Sequence, residues 1–130
     1  MDENEARTLH AAIQQVYSEY RKSFLEVIEL EELARTTNSE PERGFIIHHA
    51  EDLVKYEAEE VRLRELYENL TKRRDIAQRE LRSWRAKLTS LIPWYYVVFE
   101  VPGGFIWKEY GDRGVQFESY EKYMERKGGG

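Results

Sequence analysis

From Phe45 to Leu91 the chain returns to the same face every third and fourth residue. The series is Ile46, His49, Leu53, Tyr56, Glu60, Leu63, Tyr67, Leu70, Arg74, Ala77, Leu81, Trp84, Leu88 and Leu91. Among these 14 positions only His49, Glu60 and Arg74 interrupt the apolar character. A stripe with this period is the seam of a helix packed along another helix. At 1.5 Å per residue a 47-residue helix is a rod of roughly 70 Å. Such a rod cannot bury its stripe alone, so the rest of the chain or a second copy must cover it.

The first cover is a helix over residues 3–36. Its stripe is Leu9, Ile13, Val16, Tyr20, Ser23, Val27, Leu30 and Ala34, widened by Phe24, Leu25, Ile28 and Leu33. A broad apolar face packs against more than one neighbour. Thr36-Thr37-Asn38-Ser39 breaks the pattern. Ser39 with Glu42 forms a capping box, Pro41 suits the first turn and Gly44 weakens it, so the second helix is expected over about 40–92. A short connection makes the pair antiparallel. The expected register sets Leu9 near Tyr67 and Leu70, Tyr20 near Tyr56, and Asp2, Glu3 and Glu5 beside Lys72, Arg73, Arg74 and Arg79. The first helix then runs out near residue 78. Leu81, Trp84, Leu88, Leu91 and Ile92 form an overhang, which Pro93 ends.

After Pro93 the period changes. Residues 94–101 are dense in β-branched and aromatic types, which is a strand. Pro102-Gly103-Gly104 is a turn, residues 105–110 the return strand, and 115–117 a short third strand. Ser119 can cap a last helix over 120–127, and 128–130 is a disordered tail. The expected fold is mainly α in an α+β arrangement. A long antiparallel two-helix coiled-coil hairpin (1–92) precedes a small ββ(β)α head (93–127) packed on the end of the second helix. At 130 residues this is one domain, or one small domain with an extended arm.

Composition narrows the function classes. There is no cysteine, so disulfides and thiolate chemistry are excluded. No apolar run of 18 residues predicts a transmembrane helix. The acidic start Met1-Asp2-Glu3-Asn4-Glu5 is unlike a secretory leader, and the expected compartment is the cytoplasm, or the host cytoplasm for a viral protein. The net charge of −5 hides a segregation along the chain. Residues 1–60 carry 15 acids and 6 bases, residues 61–92 carry 4 acids and 9 bases, and residues 93–130 carry 6 acids and 5 bases.

Candidate residues fall into four groups. His48 and His49 with Glu51 and Asp52 stand within one helical turn, but no convergent third or fourth ligand accompanies them, so no metal or other cofactor is expected. Glu60 and Arg74 on the seam read as register-setting charges. Lys72, Arg73, Arg79, Arg82, Arg85 and Lys87, with Trp84 among them, could follow a phosphate backbone. Glu29, Glu31, Glu32, Glu51 and Asp52 belong to an acidic hairpin tip, either a solvated surface or a contact for a basic partner. The aromatic head offers Trp94, Tyr96, Phe105, Trp107 and Tyr110, of residue types that dominate protein interfaces.

A two-helix rod offers no cleft for paired acid–base groups, which argues against an enzyme. The leading expectation is a protein–protein interaction module, an adaptor or regulator docking on a larger assembly. A virus-encoded inhibitor of a host polymerase or nuclease is one form of it. The alternatives are a nucleic-acid-binding protein using residues 72–87 and the sheet, and a structural coiled-coil oligomer or homodimer joined through the overhang.

Overall fold

A computed structural model describes residues 2–37, 47–93, 98–108 and 114–128 of the chain. Helix α1 spans Glu3–Thr36 and α2 spans Ala50–Leu91. Strands β1 (Val98–Val101), β2 (Gly104–Lys108) and β3 (Val115–Ser119) follow, and α3 (Tyr120–Gly128) closes the order. The two long helices pack together and precede a three-stranded antiparallel sheet and a short helix, which is the expected mainly helical class. Among the described residues no helix is long and apolar enough to cross a membrane.

Both ends of α1 are closed locally. Asp2 Oδ1 accepts the Glu5 N–H at 2.8 Å, and Glu3 pairs with Arg7 one turn on. At the other end the Thr36 and Thr37 hydroxyls donate to the carbonyls of Glu32 and Leu33. Helix α2 begins later than the expected residue 40. The Asp52 carboxylate reaches back to the N–H groups of His48 and His49, both at 3.0 Å, and fixes the start at Ala50. His49 is therefore a helix-start residue and not part of the seam. The expected cap at Ser39, Pro41, Glu42 and Gly44 lies outside the described residues.

The chain divides into two compact units. One comprises Glu26–Gln78. Here Gln78 Nε2 donates to Glu31 Oε1 at 3.0 Å. Val27, Leu30 and Ala34 of α1 are buried, as are Leu70 and Ala77 of α2. The earlier stripe of α2 is less covered: Leu53 is 46% exposed and Tyr67 37%, while Tyr56, Glu60 and Leu63 are half-buried. With 13 residues between the two helices, Glu31 near the end of α1 meets Gln78, far along α2 from the position the expected register gave it. This corrects the expected register. Arg74 pairs with Asp75 and Glu60 with Arg64, each within its own helix.

The other unit joins Met1–Leu25 to Arg79–Gly130. Tyr20 lies beside Arg85, where the expected register had put Tyr56. Leu81, Leu88 and Ile92, which the expected register left beyond the reach of α1, are buried in this unit. The sheet is a meander in the order β1-β2-β3. Val98 pairs with Trp107, Val101 with Gly104, Phe105 with Glu118 and Ile106 with Phe117. Alternation then puts Phe99, Val101, Ile106 and Phe117 on one face. That face meets the helices. Tyr17 packs edge-on against Phe99 with ring centroids 6.2 Å apart, and the Arg85 guanidinium lies 4.2 Å from the Phe117 centroid. Pro102 and Gly103, the latter at φ +89°, make the β1–β2 turn in the combination type II turns use.

Two substitutions in this unit have opposite expected signs. A Cβ on Gly104 would stand 2.1 Å from the Glu118 carbonyl oxygen, so Gly104→Ala should cost about 3 kcal/mol, since the obstacle is backbone. The Ser23 hydroxyl is buried with no hydrogen-bond partner among the described residues, so Ser23→Ala should stabilise by about 1 kcal/mol. Urea denaturation measures both. A neutral Gly104→Ala or a destabilising Ser23→Ala would contradict this packing.

Candidate binding cleft on the outer sheet face

The other side of the sheet carries Val98, Glu100, Phe105, Trp107, Gln116 and Glu118. Helix α3 follows β3 without a linker and lies over part of this face. Ser119 Oγ accepts the Lys122 N–H at 3.2 Å, the cap expected from the sequence. The Tyr120 N–H donates to the Gly103 carbonyl, and the Tyr120 hydroxyl donates to Glu100 Oε1 at 2.5 Å. The Phe105 ring meets Tyr120 edge-on at 5.1 Å and Tyr123 at 5.2 Å. No residue of α3 is fully buried, so the helix is held by these few aromatic and polar contacts.

Beside α3 the face opens into a cleft of about 210 Å³, lined by Val98, Phe105, Trp107, Glu118, Tyr123 and Arg126. Its walls are mainly apolar and its polar centre is an ion pair. Arg126 Nη2 and Nε donate to Glu118 Oε1 at 3.1 and 3.3 Å. The same guanidinium lies 5.7 Å from the Trp107 ring centroid and 5.6 Å from that of Tyr123, within cation–π range. The Glu118 side chain is 9% exposed and that of Arg126 62%. A carboxylate, a guanidinium and aromatic faces can hold a ligand by charge and stacking.

The sequence candidates are distributed unevenly. Phe105 and Trp107 line the cleft, while Trp94, Tyr96 and Tyr110 lie outside the described residues. Glu118, Tyr123 and Arg126 escaped sequence reasoning. Extending the third strand by two residues would have placed Glu118 across from Phe105, and the three-residue spacing of Tyr120, Tyr123 and Arg126 puts them on one face of α3. Lys72, Arg73, Arg79, Arg82 and Lys87 are exposed, with the Lys87 ammonium 4.4 Å from the Trp84 ring centroid. Arg85 is engaged inside, between Tyr20 and Phe117. Glu29 and Glu51 are exposed, Glu31 holds Gln78, and Glu32 pairs with Arg35. Asp52 is a structural cap. The N–H groups of His48 and then His49 hold its carboxyl below the usual carboxylate range. Among the described residues no three His, Asp or Glu side chains are grouped to hold a metal ion.

No family model, curated protein or solved structure matches the chain.

The Tyr120 phenol is pushed up to about 12, first by its hydrogen bond to Glu100 and then by burial. The fold favours the neutral phenol. Its contribution is complete below the ordinary value of 10 and is lost as pH rises through about 12. NMR of labelled tyrosine rings should show Tyr120 ionising well after the solvent-facing tyrosines, with α3 loosening in the same range. Ionisation of Tyr120 near 10 with α3 unchanged would contradict the bond.

Proposed function

We propose that the chain is a non-enzymatic protein–protein interaction module, an adaptor or regulator that docks on a larger assembly through the outer face of its sheet. One observation carries this reading. Phe105 and Trp107 are turned away from the core formed by Val101, Ile106 and Leu88, and they line an open cleft. Partly exposed aromatic side chains in a concave apolar setting are the residues that anchor protein partners. Among the described residues that line the cleft, the one carboxylate is occupied by an arginine and no nucleophile stands beside a base, which supports binding over catalysis.

The second reading, nucleic-acid binding through residues 72–87, retains exposed Arg82 and Lys87. It loses Arg85, which is committed to Tyr20 and Phe117. Binding of that kind would fall steeply with salt.

Affinity capture with the wild-type chain and with Trp107→Ala tests the docking reading. The expected result is a stoichiometric partner that resists nuclease and is lost with Trp107→Ala, while helix content by circular dichroism is unchanged. Capture retained by Trp107→Ala would overturn the outer face as the docking surface.

A further inference from the structure

The cleft holds its own cation in a lopsided way. Glu118 is part of the sheet and its side chain is 9% exposed, whereas Arg126, on the last turn of α3, is 62% exposed. The anion is built in and the cation is an arm laid over it. A carboxylate this buried is costly without a cation beside it. The aromatic rings of Trp107 and Tyr123, each within 6 Å of the guanidinium, supply the faces on which such a planar cation stacks. Both bonds from Arg126 fall on Oε1 alone, short of the arrangement in which a guanidinium grips two carboxylate oxygens at once.

We propose that this cleft is a recognition site for an arginine side chain of a partner protein, and that Arg126 occupies it until the partner arrives. Exchange requires only that an exposed side chain rotate away. Glu118 stays paired throughout, so one guanidinium replaces another without stranding the buried charge. An incoming arginine can enter from the open side and meet both carboxylate oxygens, which the tether of α3 denies to Arg126. The chain's net charge of −5 favours the approach of a basic segment. The inference rests on the docking reading above and assigns the chemistry of the docked residue.

The test is an NMR titration of Nα-acetyl-arginine N-methylamide followed at the Trp107 indole N–H, with the lysine and norleucine counterparts as controls. It is run on the wild type, on Arg126→Ala, and on Arg126→Ala combined with Glu118→Gln. If Arg126 fills the cleft in about nine of ten molecules, Arg126→Ala should bind the arginine compound about tenfold more tightly than the wild type. Adding Glu118→Gln should abolish that gain, with the dispersion of the amide spectrum reporting that the fold is kept. The norleucine arm needs no second substitution and stands even if Glu118→Gln fails to fold. Arg126→Ala binding no better than the wild type, or an equal response to norleucine or lysine, would overturn the proposal. The two readings fail separately. Loss of partner capture in Trp107→Ala without arginine binding leaves the docking surface and removes the arginine site. Arginine binding with capture intact in Trp107→Ala leaves the site and removes its role in docking.

Discussion

The Tyr20 hydroxyl ties three parts of the fold to one point. It donates to the Pro102 carbonyl at 2.7 Å beside the Arg85 guanidinium, and the residue is fully buried. One atom of α1 therefore fixes the β1–β2 turn and the second half of α2 together. Burial raises its phenol, which keeps it neutral and able to donate. Around it the packing is continuous. Phe24 lies against Gly103, Tyr17 meets Phe99, and the Arg85 guanidinium spreads over Phe117. A hydroxyl without these partners would be a buried polar group costing about 1–3 kcal/mol. The same group with them selects one placement of the sheet against the helices.

That placement determines which sheet face is left over. Ile106 and Val101 point at the helices and are almost completely buried. Their neighbours on the strands, Phe105 and Trp107, must then point outward by the alternation of the pleat. Helix α3 is too small to cover them fully and contributes no fully buried residue. The cleft is thus a consequence of covering one face with two long helices and the other with nine residues. Its aromatic walls and its internal ion pair are the features from which a docking function and an arginine preference are argued.

Local signals in the sequence carried much of this. The bounds of α1, the strand–turn–strand after Pro93 and the Ser119 cap follow from periodicity, turn residues and capping chemistry, all of which act within a few positions. The helix register was not legible. Ser39 and Glu42 made a plausible cap, which implied a short connection and an alignment of Tyr20 with Tyr56. The start of α2 instead depends on Asp52 reaching back to His48 and His49, and the alignment depends on Tyr20 finding a carbonyl 82 positions away. A heptad stripe is also nearly degenerate under shifts of whole turns, because apolar residues recur at every step. Glu118 was missed for a related reason. A charged residue in a strand reads as solvent-facing until the helix that follows folds back over it.

The central claim is that α1 packs against the second half of α2. Spin labels on Glu31→Cys and Gln78→Cys test it directly, since the chain has no cysteine of its own. Their separation can be measured by double electron–electron resonance. The structure predicts a short distance, that of side chains facing each other across helices packed about 8–10 Å apart. A separation of roughly 50 Å, as the alignment of Tyr20 with Tyr56 requires at 1.5 Å per residue, would contradict it.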